Sequence, residues 1–383
     1  MISTVQEVVL LAVVVVFAWN LGAHYTGATM GMPYASRSVA LWPALSVVAT
    51  FSLVGATVAS GKVEQTVGLH LVSPRHVSAT LAIVIVASAG ALTMAFNYLR
   101  LPTSTIQILV FCVIGGAIAA GLPVQWPTLG KLAIVWVAAP LAAIALGYAL
   151  TRAFDRAVPT EAAAEQTRRQ VAHQPGERRA RRPTAAWFPG IALAVPECVE
   201  QHAAKERPRH PQLAVVSLRL LPAALIAVGA AASFVMGSND VANATGALLL
   251  VHLFSTHLAG VIGGAGMFIG ALTWGRRILN RVAFDVIKLD LAMASAAQGV
   301  QALVVILAVS QGFFTSMNQA LVAAMAGTGL ARGRETVNRT QLIGILRGWL
   351  IGPPAGSSSP TSSRRSSADV PPPSTVHGGF RSC

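Results

Sequence analysis

Gly237-Ser238-Asn239-Asp240-Val241-Ala242-Asn243-Ala244-Thr245-Gly246 sets a carboxylate, Asp240, inside an otherwise apolar run, and no other acidic residue occurs between Glu206 and Asp285. A charge in hydrocarbon is costly unless it is paired, hydrated or liganded, so an intramembrane Asp is a functional group by default. The glycines at both ends allow a helix to break there, and Asn239 and Asn243, four residues apart, share a face. A broken helix offers backbone N–H groups and a positive dipole end to an anion, and freed carbonyls to a cation. The alternative is an Asp that caps a helix at the membrane surface.

The rest of the chain explains why the medium is lipid. Hydrophobic residues make up 54% of the 383 and charged residues 11%, against roughly 25% charged in a soluble domain. The apolar residues also fall in runs of about 17 to 25, the length that crosses a bilayer as helix. Backbone hydrogen bonding then requires the spans to be helical. Ten spans are expected, near residues 5–24, 38–60, 77–99, 104–122, 129–151, 212–236, 244–273, 290–311, 315–331 and 339–355. The first starts without a basic segment and runs on without a clear cleavage site, so it reads as a membrane helix rather than a signal peptide.

Charge orders these spans. The net charge of +14 collects between and after the apolar runs, which is orientation charge rather than a nucleic-acid footprint. Residues 152–211, with Arg168, Arg169, Arg178, Arg179, Arg181 and Arg182 among Pro, Glu and Gln, read as a disordered basic cytoplasmic linker. It separates a first transmembrane repeat, 1–151, from a second, 212–355. Residues 356–383 form a Ser/Pro-rich tail expected to be disordered, and a truncated or frame-altered terminus would account for it. Cys112, Cys198 and Cys383 have no disulfide or metal spacing.

The halves repeat one another. Gly22 to Gly31 matches Gly237 to Gly246 at an offset of 215; Ser104, Gln107, Gly115 and Gly121 match Ser316, Gln319, Gly327 and Gly333 at 212; Trp136 and Pro140 match Trp349 and Pro353 at 213. An odd number of spans on each side of a cytoplasmic linker inserts the second half upside down. Arg276, Arg277, Arg281 and Lys288 then fall on the cytoplasmic side, as do Arg332, Arg334 and Arg339. The expected fold is an all-α polytopic membrane protein of about ten transmembrane helices in two inverted repeats, with broken helices at the repeat interface, an architecture of secondary transporters.

Gly-x-Asn-Asp-Val-Ala-Asn-Ala-x-Gly at residues 237–246 resembles the signature of the inorganic phosphate transporter (PiT) family, and the likeness extends over nearly the whole chain to about Pro354. The resemblance implies two copies of that signature in inverted halves, each followed by a Pro-x-Ser-Thr-Thr-His-like segment. It further implies phosphate uptake into the cell, through the cell membrane, coupled to protons or sodium. Carried over by position, Asn239, Asp240 and Asn243 match the second signature; Pro102, Ser104 and Thr105, with Gln107 in place of a His, match the first Pro-x-Ser-Thr segment; Ser316 and Gln319 match the second. These side chains would enclose the anion, with Asp240 and His24 handling the coupling ion. No cofactor is implied, and no metal beyond a sodium ion near Asp240. The partners are then phosphate and the bilayer, and homo-oligomers stay open.

The departures bear on mechanism. In the first signature His24 and Tyr25 replace the Asn-Asp pair and Ala28 the later Asn; Phe314, Met317 and Asn318 depart from the second Ser-Thr segment. One of two related carboxylates is therefore missing, and His24 could titrate in its place, unless His24 and Tyr25 only fill space. The remaining readings are a sulfate or other oxyanion permease, and a non-transporting membrane protein that binds or senses. An enzyme fits least, because no second catalytic group stands opposite Asp240. His252 and His257 read as packing residues, and Trp42, Trp126 and Trp274 as an aromatic belt.

Overall fold

The computed structural model describes residues 3–72, 77–99, 104–157, 211–279 and 291–333. Twelve helices fill them: α1 (Thr4–His24), α2 (Thr26–Ala35), α3 (Leu41–Ala59), α4 (Gly61–Leu69), α5 (Ala79–Leu99), α6 (Thr105–Ala119), α7 (Trp126–Ala157), α8 (Pro211–Asp240), α9 (Ala242–Leu250), α10 (Thr256–Thr273), α11 (Leu291–Ser310) and α12 (Met317–Arg332). Among the described residues the β-structure is a single bridge between Val72 and Val124. Among the described residues, seven helical stretches are long and apolar enough to cross a membrane, including 4–35 and 220–250, each of which contains a short interruption. Their outer faces are apolar, as on α7, where Ile134, Val137 and Leu141 are exposed. The tenth expected span, most of the linker, the tail, Pro102, Cys198 and Cys383 lie outside the described residues.

Helix starts follow from local sequence. Ser3 accepts from the Gln6 backbone N–H and Gln6 returns the bond, a capping box. Ser104, Ser255 and Ser316 each accept from the N–H three residues on and so start α6, α10 and α12. The caps of α6 and α12 are themselves buried, so these 15- and 16-residue helices begin inside the protein.

Several boundaries differ from expectation: α2 and α4 lie outside the expected spans, and α7 continues as helix to Ala157, inside the segment expected to be a disordered linker. The apolar run 244–273 is two helices, because the chain turns between Leu250 and Thr256, with His252 at φ 54. The interruptions at Tyr25 and Val241 are a single residue each. Tyr25 (φ −90, ψ −2) and Val241 (φ −58, ψ −37) remain in the helical region. The ladder therefore closes around them, with Tyr25 N–H donating to Leu21 O at 3.2 Å and Thr245 N–H to Val241 O at 3.0 Å. Few backbone groups are freed there.

Close backbone contacts repeat at the sequence offset. A Cβ on Gly22 would stand 2.1 Å from the Met267 carbonyl oxygen, and one on Gly237 would stand 1.9 Å from that of Ser52. Likewise Gly55 abuts the Phe234 carbonyl and Gly270 that of Trp19. Each member of one contact lies 215 positions from its counterpart in the other. So α1 packs on α10 while α8 packs on α3, each half receiving a helix of the other. The two non-glycine residues with positive φ among those described, Arg37 and His252, are also 215 apart. A third close approach joins α7 to α12, through Gly147 against Ala324 and Gly327 against Ile144.

Candidate functional site

Four helix junctions meet in the interior. The interruption at Tyr25 brings His24 and Tyr25; that at Val241 brings Asn239, Asp240 and Asn243; the N-terminus of α6 brings Ser104, Thr105 and Gln107; that of α12 brings Ser316, Asn318 and Gln319. All are buried except Gln107, which is half-buried. An ion held among them would be out of contact with bulk water.

The junctions are joined by side chains. Gln319 Nε2 donates to Gln107 Oε1 at 3.3 Å, so the first turns of α6 and α12 touch. Tyr25 Oη and Thr105 Oγ1 are 2.7 Å apart, and Asn243 Nδ2 donates to the same Thr105 oxygen at 3.2 Å. Asn318 Nδ2 lies 3.3 Å from His24 Nε2, while the His24 ring meets the Tyr25 ring edge-on with centroids 4.5 Å apart. With Asn318 donating, Nε2 is the acceptor and the His24 proton sits on Nδ1. The positions singled out from sequence thus come together at one place.

Their tasks differ. Asn239 holds the chain with both ends of its amide: its Nδ2 donates to Thr315 O at 2.9 Å and its Oδ1 accepts from Thr315 N–H at 3.2 Å, which fixes the entry to α12. The Ser104 and Ser316 hydroxyls cap their helices. A cap takes only one of the four N–H groups that a helix start leaves open, so two positive helix ends still face the interior.

Asp240 is different. It is wholly buried, and neither carboxylate oxygen has a hydrogen-bond partner, although Tyr25 and Asn239 are near enough to interact with it. Asn243 Oδ1, Asn318 Oδ1, Gln301 Oε1 and the Thr315 hydroxyl are also buried without partners. Gln298 and Gln301 on α11 were not anticipated: their amides donate to the Thr29 carbonyl of α2 and to the Met317 carbonyl of α12, at 3.2 Å for the latter. Only their polarity inside an apolar run could have marked them. Unmet acceptors therefore dominate here, an arrangement suited to a cation or to an anion that itself carries hydrogen-bond donors. An apolar crevice between α3, α8 and α11, lined by Phe51, Phe234, Leu303 and Ile306 among others, holds none of these groups.

The profile of the phosphate transporter family matches residues 21–358, which include both helix interruptions and both buried helix starts. The chain belongs to that family. Its relatives include a sulfate permease of Bacillus subtilis (strain 168), 23% identical over 342 residues, covering 88% of this chain and 81% of the relative. A putative phosphate permease of Haemophilus influenzae is 25% identical over 389 residues, covering 89% and 91%. Among solved structures, a sodium-dependent phosphate transporter superposes with a TM-score of 0.74 at 20% identity, covering 92% of this chain and 96% of that one. The fold is thus that of a polytopic transporter. The phosphate transporter family consists of membrane transporters rather than enzymes, and this chain is one of them.

Proposed function

We propose that this member of the phosphate transporter family carries inorganic phosphate across the cell membrane as a secondary transporter, coupled to a proton or sodium ion bound at Asp240. One observation carries the reading: a fully buried carboxylate with both oxygens unpartnered, at the meeting point of two inward-facing helix starts. The first-turn N–H groups of α6 and α12 would receive phosphate oxygens, because a helix N-terminus attracts an anion. Phosphate at neutral pH also keeps at least one P–OH, which can donate to Asp240. Sulfate cannot. Thr105, Gln107, Asn243 and Gln319 would fix the orientation of the anion, and Asn239, Ser104 and Ser316 would hold the helix ends in place.

The reciprocal contacts at an offset of 215 support a two-fold relation between halves, and the basic loops support its inversion, with the linker cytoplasmic and about ten spans in all. In such an arrangement one half rocks against the other around the site. Loss of the first-signature carboxylate leaves His24 as the titratable group on that side, held by Asn318 and edge-on to the Tyr25 ring. A second reading, sulfate transport, is favoured by the B. subtilis relative.

The deciding experiment is radiolabelled phosphate uptake into proteoliposomes under an imposed sodium or proton gradient, with unlabelled sulfate as competitor. Uptake driven by one gradient and resistant to sulfate is the expected result. Uptake suppressed by equimolar sulfate moves the substrate to sulfate. No uptake from inserted protein sinks the transport reading and leaves a binding or sensing role.

A further inference from the structure

A second buried carboxylate stands outside the set of residues described above. Glu64, on the short helix α4, is wholly buried, and its Oε2 has no hydrogen-bond partner. Its Oε1 is 2.7 Å from the hydroxyl of Thr245, itself wholly buried on α9, two residues beyond Asn243. The contact is built by backbone packing. A Cβ on Gly68 would stand 2.7 Å from the Gly246 carbonyl oxygen, and one on Gly246 would stand 2.4 Å from Val67, so α4 and α9 meet through two glycines. On the other side of Thr245, a Cβ on Gly263 of α10 would stand 2.4 Å from both the Thr245 methyl and a Val241 methyl. The Thr245 side chain is held between two helices with its oxygen toward Glu64.

The proton count is what makes the pair informative. The Thr245 hydroxyl is placed to donate to Glu64 Oε1 at 2.7 Å and also to the Val241 carbonyl at 3.0 Å, but it has one hydrogen. The Ser60 hydroxyl, also near Glu64, is bonded to the Ala56 carbonyl. If Glu64 is ionised, Thr245 must direct its one O–H to the carboxylate and withdraw it from the Val241 carbonyl, which keeps its backbone bonds from Ala244 and Thr245. If Glu64 is protonated, the acid donates to Thr245 Oγ1 and Thr245 donates to Val241, so every proton has an acceptor. Val241 is the interruption residue that follows Asp240.

No cation offsets the charge among the described residues. Helices α3, α9 and α11 carry no titratable side chain. On α8 the candidates are Asp240 and, toward the opposite end, Arg219. On α10 there is His257, which is exposed, and on α4 itself Lys62, whose ammonium donates to the Ser310 carbonyl at 2.7 Å. An unpaired carboxylate in such a setting is stable only with a proton or a bound cation, and the two-acceptor hydroxyl selects the proton.

We infer that Glu64 is a second coupling site of the transporter, occupied by a proton, with Thr245 relaying its charge state to the interruption at Val241. Binding of H⁺ to the carboxylate forms the O–H bond and turns the Thr245 hydroxyl from Glu64 to Val241; release reverses both. The inference rests on the transport reading for its role, while the proton itself can be detected without transport.

The test uses the full chain and the variant Glu64→Gln, whose amide can donate to Thr245 as the protonated acid does. Infrared difference spectra between acid and alkaline pH should contain the C=O band of a buried carboxylic acid, lost in Glu64→Gln and retained in Asp240→Asn. In proteoliposomes the phosphate accumulation reached should fall about tenfold per pH unit of imposed gradient, the factor carried by one proton. Phosphate exchange at equal pH, which moves no net proton, should continue. Thr245→Val removes the acceptor while keeping the branched shape against Gly263, and should shift the band to that of an acid without a hydrogen bond. A band unchanged by Glu64→Gln, or accumulation in that variant that follows the pH gradient as in the wild type, overturns the inference. A wild-type chain that shows the band but no phosphate uptake refutes transport and leaves the proton on Glu64 standing.

Discussion

Replacing Asp240 by Asn separates the roles of charge and shape at the site. The carboxylate is wholly buried with neither oxygen partnered, so any P–OH directed at it forms a charge-assisted hydrogen bond. Such bonds contribute about 1.5–3 kcal/mol, and a neutral amide oxygen recovers only part of that. Phosphate affinity should therefore fall, by at most about 150-fold, the factor for losing the whole bond. Sulfate has no proton to donate and meets only repulsion from the carboxylate, so its affinity should hold or rise. Fold stability should move the other way from phosphate binding, because the substitution removes a buried charge without hydrogen bonds, which costs several kcal/mol to keep ionised. The assay is phosphate and sulfate binding to detergent-solubilised protein together with its thermal unfolding midpoint. An unchanged phosphate-to-sulfate ratio, or equal losses for both anions, would refute the assignment of Asp240 as the acceptor that reads the phosphate proton.

Gly237→Ala puts a methyl 1.9 Å from the Ser52 carbonyl and should lower stability by about 1–3 kcal/mol, whereas Gly130→Ala on α7, where an added Cβ meets nothing within 4 Å, should raise it by up to about 1 kcal/mol. Opposite shifts in thermal midpoint are expected, and equal shifts would contradict the close approach of α3 and α8. A double-mutant cycle on Gln107→Ala and Gln319→Ala should give a coupling of about 0.5–1.5 kcal/mol in stability, from the hydrogen bond joining α6 to α12; additive effects would mean that the helix starts do not touch. Tyr25→Phe removes the hydroxyl beside Thr105 and should weaken phosphate binding about threefold to tenfold through the freed Thr105 and Asn243, and an unaltered affinity would remove Tyr25 from the site.

Most helix positions, and the residues that the structure brings together at the candidate site, were legible because both have local causes. Glycine placement and an intramembrane carboxylate marked the junction at Val241, and serines three residues before glutamines marked the starts of α6 and α12. The turn at Val251–Ser255 was not legible from hydropathy, since Leu248 to Phe254 is almost unbroken apolar sequence; Ser255, as a cap residue ahead of an apolar run, was the available sign. Asn318 read only as a departure from a family pattern, yet it holds His24 from 294 positions away. Glu64 was overlooked because it falls just past an apolar run and its partner is 181 residues distant, and no spacing rule reaches that far. The matching glycine spacings of the two halves were visible in sequence, but which helix of one half lies on which of the other is decided by backbone approach at the glycines.

The exchange of helices between halves has a consequence for biosynthesis. Gly22 on α1 finds its seat only against Met267, and the surface on α3 that includes Ser52 waits for Gly237. At translation rates of about 5–20 residues per second, the roughly 245 residues between Gly22 and Met267 take about 12 to 50 seconds to make. For that interval the first half sits in the bilayer with its small-residue faces uncovered, open to membrane quality control or to the matching face of another nascent chain.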